Sequence, residues 1–355
     1  MREGRAANID ATRAAALILM ALGHFDILAN AKVVGHEGFG GRYPETVETI
    51  SFILRVIRHP CAVAFFFVSG MVLFKGHARG RITSITLLIK GLVLLAIGLT
   101  LNNYFWRGGV YVPVLFQVIG AFGLSFVVMS LLVKLPAVAL APLGLLAMVA
   151  RELVPVPAPA GPLADAVYRL CWDAGGVDLV CSIYPLIGWL PVMLLGFGFE
   201  HASQRKLGEL LPDRYGPIVV GVIVLGLFAL LRATTTCGSL GQSLPDDAIS
   251  FFMLSKYPPS IHFILFGVGF TLIGLGLFEF GAPAILVKLG RYGLGFYLCH
   301  MALFRLLKIL EFEQGRYTTT LICFPVFLVV ASIATLGYGH LKDRYRKRLP
   351  ALRYL

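Results

Sequence analysis

The first apolar stretch of the chain carries an arginine and a histidine whose spacing could serve one reaction. Arg13 and His24 are separated by ten residues. On an α-helix this places them about 16 Å apart along the axis and returns both side chains to nearly the same face. One helix face would then present a cation near a membrane surface and an imidazole deeper inside. This arrangement suits a substrate that is anionic at one end and reacts at the other.

Further ionisable side chains lie in or beside apolar stretches, where such groups are expensive and by default indicate a site. His59 opens the second stretch, and His300 follows Tyr297 within the ninth. Lys256 and Tyr257 precede two prolines that make a rigid, extended entry to the eighth. We expect His300 to reach the interior of a helical bundle.

Several of these residues could instead have a purely structural role. Arg13, at the start of a helix, is as well suited to anchoring that helix at the interface as to binding a substrate. Lys256 has the same alternative, and His36, in the first long loop, fits a solvated surface residue. His24 could be a packed core histidine, but an imidazole at this depth favours a functional role.

The composition excludes a water-soluble enzyme. Of 355 residues, 57% are hydrophobic and only 14% are charged, and the mean hydropathy is +0.81. A soluble domain usually carries about 25% charged residues. The same values exclude a disordered chain, and the long, continuous apolar runs argue against an outer-membrane barrel. The net charge of +12 is typical of basic loops that face an anionic cytoplasmic leaflet.

The apolar runs predict an all-α, polytopic transmembrane bundle, because each is close to the roughly 20 residues that a span needs. The candidate spans lie at 11–30, 58–75, 82–103, 111–133, 136–154, 181–200, 216–233, 260–280, 286–308 and 319–340. Lysine and arginine are more frequent in the segments on the side of the two termini, so both ends are predicted to be cytoplasmic. In this interpretation residues 1–355 form a single integral-membrane domain.

Six segments occur in the order found in one family of membrane acyltransferases. They are residues 9–24, 59–70, 115–120, 184–193, 256–260 and 296–300. The first runs from Ile9-Asp10 through Arg13 to His24, and the second joins a His-Pro-Cys-Ala start to a phenylalanine-rich run. On these residues the chain resembles bacterial members of the heparan-alpha-glucosaminide N-acetyltransferase catalytic-domain family. The spacing of Arg13 and His24 is shared with the broader acyltransferase-3 group.

The resemblance implies an enzyme, an acetyl-CoA-dependent N- or O-acyltransferase of the bacterial inner membrane. It would move an acetyl or other acyl group from cytosolic acyl-CoA to a sugar or glycan on the far side. Eukaryotic members have Asn in place of His24 and a catalytic histidine that aligns near His36, so either His24 or His36 could be the base. His59 replaces an acidic residue of the second-helix motif and is the third catalytic candidate.

The remaining candidate residues are assigned to the donor or the acceptor by their charge and by their expected depth in the membrane. CoA carries several negative charges and should bind near basic cytoplasmic side chains, here Arg13, Arg79 and Arg81, with Asp10 paired to Arg13. The outer half of the pocket is assigned to Lys256, Tyr257, Tyr297 and His300. The expected partners are acyl-CoA, a glycan acceptor and the lipid bilayer, without a metal or nucleic acid, and the chain could form a homodimer.

One rival function remains open, a transporter or exporter of a glycan or lipid precursor. It would use the same buried polar groups as a substrate path. The lack of an evident internal repeat counts against it. The sequence has no Walker A loop, GxSxG elbow, HExxH pair or CxxC pair. No motif therefore supports ATP-driven transport, serine hydrolysis or zinc chemistry.

Cys171, Cys181 and Cys237 could share the outer face and would allow one disulfide.

Overall fold

The chain is helical almost throughout the part that the structure, a computed structural model, describes. The described residues are 7–29, 49–109, 113–157, 159–176, 178–207, 214–235, 248–312, 317–345 and 348. Their α-helices are α1 Ala7–Ala29, α2 Thr49–Arg58, α3 Pro60–Ala78, α4 Ser84–Ile97, α5 Asn103–Arg107, α6 Val118–Leu132, α7 Ala137–Leu153, α8 Pro162–Cys171, α9 Leu186–Ala202, α10 Tyr215–Thr234, α11 Ala248–Phe252, α12 Ile261–Glu279, α13 Ala284–Arg291, α14 Gly293–Ile309 and α15 Tyr317–Tyr345. Two π-helical turns cover Gly98–Asn102 and Ser203–Leu207, and the parallel strands are β1 Val114–Phe116 and β2 Val180–Ser182. The predicted all-α architecture is confirmed.

Seven helical segments of the described chain are long and apolar enough to cross a membrane. They are Ala7–Ala29, Phe52–Ala78, Ser84–Arg107, Leu186–Arg205, Tyr215–Thr234, Ile261–Glu279 and Thr319–Tyr345. Each coincides with one of the predicted spans. The fourth, fifth and ninth predicted spans fall on the shorter helices α6, α7 and α14, which have 15, 17 and 17 residues.

Two of these shorter helices begin later than predicted, each for a local reason. Before α6 the chain is extended, because the Asn103 side chain donates to the Leu115 carbonyl (3.1 Å) and accepts from its N–H (2.9 Å). The ninth predicted span is interrupted at Tyr292, whose ψ of 36° departs from helical geometry. Helices α13 and α14 are therefore separate.

Glycines set the closest helix packing in the bundle. Helices α3 and α9 meet through Gly70 and Gly196, and a Cβ on either residue would collide with backbone of the other helix, at Met193 and at Phe67 respectively. Small residues at such crossings let two backbones approach, which is how helices gain dispersion contacts in a membrane.

Helix α1 lies at the centre of the bundle. It contacts α3, α12, α13, α14 and α15, and its alanines at 11, 14 and 21 have no exposed surface. A buried ion pair between Asp26 and Arg58 (3.1 Å) ties its second half to α2, and Thr320 of α15 donates to the same carboxylate (3.4 Å). Because α1 is held on all sides, its functional side chains occupy defined positions.

Candidate active site

A pair of histidines joins α1 to α14. His24 Nδ1 lies 2.9 Å from His300 Nε2, and His300 Nδ1 lies 2.8 Å from the carbonyl oxygen of Phe296. A carbonyl can only accept, so neutral His300 carries its proton on Nδ1 and accepts at Nε2. His24 then donates from Nδ1 and keeps its lone pair on Nε2. This tautomer is the one that a general base needs.

Aromatic rings fix the orientation of the His24 imidazole. It lies nearly parallel to the His300 ring (12°), with ring centroids 5.2 Å apart as the in-plane N–H···N bond requires, and the Trp106 ring meets it edge-on at 5.1 Å. Tyr297 and Phe304 each lie 6.4 Å away, in edge-on geometry. An apolar surround of this kind strengthens hydrogen bonds and limits the motion of the ring.

Beside this pair, a π-helical turn presents an asparagine. Tyr297 donates its hydroxyl proton to Asn102 Oδ1 at 2.7 Å, and both residues are buried. Asn102 ends the turn Gly98–Asn102, and π-turns within helices are frequent at functional sites. Asn102 was not predicted from the sequence, although an Asn-Asn pair inside an apolar stretch is a usable signal.

A cationic cavity of about 350 Å³ opens at the end of the bundle where α1 begins. Four basic residues from four helices line it, namely Arg13, Lys90, Arg291 and Lys342, and none of the described residues in its lining is acidic. Arg13 also donates to Asp10 (3.2 Å) and to the Gly290 carbonyl (3.3 Å). The rest of the wall is largely apolar, so the cavity suits a ligand with an anionic head and a long, less polar body.

This cationic cavity extends towards the histidine pair along two helices. On α1 its lining runs from Arg13 to Met20, and His24 lies one turn further, on the same face as Arg13. On α14 the lining ends at Tyr297, three residues before His300. Tyr297 therefore lies both at the deep end of the cavity and beside the His24 ring.

A second cavity, of about 480 Å³, opens at the opposite end of α1. It is lined by Ile27, Leu28, Trp106, Phe304, Lys308, Glu311 and Phe312. Trp106 and Phe304 thus contact both this second cavity and the His24 ring. Lys308 donates to the Trp106 carbonyl at 3.2 Å, and this hydrogen bond links α5 to α14. His24 accordingly lies between two cavities that open at opposite ends of one helix.

Other predicted site residues lie elsewhere. Arg79 and Arg81 are exposed beyond the end of α3 and do not line the cationic cavity. His59 is buried, with Nε2 3.4 Å from the Phe252 carbonyl and its ring 5.2 Å from that of Phe263. It packs against an aromatic cluster near the start of α3 and α12.

Lys256 and Tyr257 form a separate group. The Lys256 ammonium lies 4.9 Å from the Tyr257 ring centroid, and the Tyr257 hydroxyl is 3.2 Å from that of Tyr184.

Two of the predicted residues, His36 and Cys237, lie outside the described residues. Cys171 and Cys181 are free thiols. Among the residues that the structure describes, no cluster of His, Cys, Asp or Glu has the size of a metal site.

The comparison with known families agrees with the motifs. The family described as "Heparan-alpha-glucosaminide N-acetyltransferase, catalytic" matches residues 5–231. This is more than half of the chain and includes Arg13, His24, Asn102 and Trp106, while His300 lies beyond it. No curated protein matches the sequence. The chain belongs to the heparan-alpha-glucosaminide N-acetyltransferase catalytic-domain family, and it is by family a membrane enzyme of the acetyltransferase type.

Proposed function

We propose that the protein transfers an acetyl or other acyl group from cytosolic acyl-CoA to a sugar amine or hydroxyl on the far side of the membrane, with His24 as the base. The observation that carries this proposal is the position of the His24–His300 pair between two cavities at opposite ends of α1. Acyl donor and acceptor can approach one imidazole from the two sides, so only the acyl group has to cross.

The charge of the cationic cavity supports acyl-CoA as the donor. The phosphates of CoA would bind Arg13, Lys90, Arg291 and Lys342, because clustered cations in a partly apolar wall attract a polyanion strongly. The less polar pantetheine arm would follow α1 towards Tyr297. The thioester would then reach the neighbourhood of His24, about 16 Å from Arg13 along the helix axis.

The tautomer of the histidine pair supports general-base catalysis. In this mechanism His24 Nε2 takes the proton of the acceptor amine or hydroxyl as the nucleophile bonds to the acyl carbon. The carbonyl electron pair moves onto oxygen and returns when the C–S bond breaks. The sulfur leaves with the bonding pair and receives the proton from His24, which ends neutral. His300 holds the ring by accepting from Nδ1–H throughout.

The second cavity, which contains Trp106, Lys308 and Glu311 in its lining, supports acceptor binding on the side opposite CoA. Trp106 offers an aromatic face, and Lys308 and Glu311 offer a donor and an acceptor for polar substituents. His36, which follows α1 in the sequence, remains the alternative base of this proposal. Lys256 and Tyr257 are proposed to bind more distant parts of a long acceptor.

The test is acyl transfer by purified protein in nanodiscs, with radiolabelled acetyl-CoA and a panel of amino sugars and glycans. We expect labelled product with the wild type, loss of it in His24→Ala, and retention in His36→Ala. The reverse pattern would move the base to His36. Full activity in both variants would refute histidine catalysis, and absence of both transfer and saturable CoA binding would favour a transporter.

A further inference from the structure

The buried amide of Asn102 has one half of its hydrogen-bonding capacity unused. Its side chain is almost inaccessible, with 1% relative exposure. Oδ1 accepts the Tyr297 hydroxyl proton. Nδ2 is buried and makes no hydrogen bond within the part of the chain that the structure describes. An amide nitrogen carries two N–H donors, so both are without a protein acceptor there.

An unsatisfied donor of this kind is costly in a membrane interior, where no bulk water compensates it. Most buried polar groups are therefore bonded, and an exception needs an explanation. The neighbouring Asn103 shows the usual outcome, since its Nδ2 donates to the carbonyls of Gly98 and Leu115. Asn102 differs from Asn103 in keeping its donors available to a ligand.

The position of Asn102 indicates which ligand atom that would be. Its partner Tyr297 forms the deep end of the cationic cavity and lies beside the His24 ring. Trp106, which lies one turn after Asn102, on α5, packs edge-on against the His24 ring, with ring centroids 5.1 Å apart. The amide is thus held where the cavity for the donor meets the proposed base, which is where a thioester carbonyl would be attacked.

We propose that Asn102 is a catalytic residue whose Nδ2 donates a hydrogen bond to the acyl oxygen of the bound thioester. When the acceptor nucleophile bonds to the acyl carbon, the carbonyl pair moves to that oxygen and the negative charge faces the N–H. When the pair returns and the C–S bond breaks, the charge leaves with the CoA sulfur. A preorganised donor aimed at such an oxyanion is among the largest single contributions to catalysis. This inference rests on the proposed function.

The Tyr297 hydroxyl is a positioning group in this arrangement. It donates to Asn102 Oδ1, so the Nδ2 end of the Asn102 amide points away from the hydroxyl. Without that bond the amide could rotate and present its oxygen, which would repel the oxyanion. The hydroxyl thus orients the donor without itself contacting the acyl group.

The test compares Asn102→Asp, which keeps an oxygen for Tyr297 and removes the N–H donors, with the wild type. We expect kcat to fall about 10²–10³-fold, while KM for acetyl-CoA changes less than about threefold. Asn102→Gln, which retains displaced donors, should recover part of the activity, and Tyr297→Phe should lower kcat at unchanged KM. The control is Thr100→Ala in the same π-turn, whose side chain is exposed; its kcat should equal that of the wild type.

A second measurement does not depend on turnover. Acetyl-CoA labelled with ¹³C at the carbonyl is bound to His24→Ala protein, which leaves the thioester intact, and the carbonyl band is recorded by infrared difference spectroscopy. A hydrogen bond from Asn102 shifts the band to lower wavenumber, and the shift should disappear in the His24→Ala, Asn102→Asp double variant.

An unchanged kcat in Asn102→Asp, or a carbonyl band that is the same with and without Asn102, overturns the inference. These results are distinct from failure of the proposed function. If the wild type binds acetyl-CoA but acylates no acceptor, the proposed function fails, and the carbonyl band still decides whether Asn102 contacts the thioester. If acetyl-CoA does not bind at all, both are refuted.

Discussion

His24 and His300 have different proposed roles, although both side chains are imidazoles. His300 is fixed in one tautomer by the Phe296 carbonyl and serves as the acceptor that keeps the His24 proton on Nδ1. We therefore expect His300→Phe, which cannot accept, to lower kcat by about 10²-fold through loss of the base tautomer. His300→Gln offers a carbonyl oxygen and should lose less. Equal activities of the two variants in the radiolabel assay would show that His300 only fills space.

The second prediction at the level of residues concerns the lysine inside α4. Lys90 lines the cationic cavity, whereas Arg81 is exposed and lies outside it. Removing one cation that faces a phosphate costs about 1.4 kcal/mol, or tenfold in affinity. Lys90→Gln should therefore raise KM for acetyl-CoA about tenfold with little change in kcat, and Arg81→Gln should leave KM unchanged. The opposite ranking in steady-state kinetics would place the phosphates near Arg81, as charge alone first indicated.

Residues of this site were predictable in proportion to how unusual they are in an apolar helix. Arg13 and His24 share a helix face, so the pattern of one helix was enough to propose them together. His300 was expected to reach the bundle interior, but its contact with His24 was not predicted. Arg291 and Lys342 looked like ordinary basic residues at helix ends. Their convergence on one cavity depends on how α13 and α15 pack beside α1, which no local pattern encodes.

At the scale of elements, the crossing of α3 and α9 depends on two glycines. A Cβ at Gly70 would meet the Met193 backbone, and backbone cannot move aside as a flexible side chain can. We expect Gly70→Ala to lower the free energy of unfolding by about 1–3 kcal/mol, the usual range for overpacking. Thermal unfolding in detergent measures this.

Gly226→Ala in α10 is the matched control for that substitution. A Cβ at Gly226 would have no neighbour within 4 Å, so alanine adds only helix propensity, worth up to about 1 kcal/mol. The control should be as stable as the wild type or slightly more stable. If Gly70→Ala unfolds at the same temperature as Gly226→Ala, the two backbones at the α3–α9 crossing are not in contact.

The helices themselves were predictable because a run of apolar residues has few alternatives in a bilayer. The exceptions arise where a side chain competes for the backbone. Asn103 holds Leu115 in an extended segment, although the sequence there reads as a continuation of the fourth span. Such a clamp joins residues 12 apart, and hydropathy averaged over a window does not detect it.

For the whole molecule, the decisive feature is that two cavities of different chemistry open at opposite ends of α1. Arg13 lines one and Leu28 the other, and 15 residues of helix place them about 22 Å apart. Four cations make the first attractive to a polyanion, whereas the second pairs aromatic rings with Lys308 and Glu311. An enzyme acting on one side of the membrane would need neither this separation nor this difference in charge.

Transfer across a sealed bilayer is therefore the prediction at this scale. Protein is reconstituted into vesicles that enclose an impermeant amino-sugar oligomer, and radiolabelled acetyl-CoA is added outside. Molecules whose cationic cavity faces outward should bind the CoA and acylate the enclosed acceptor, while CoA itself stays outside. His24→Ala vesicles supply the background, and vesicles opened with detergent supply the upper limit. Label found only on acceptor added outside would mean that donor and acceptor enter from the same end, and the two-cavity mechanism would be wrong.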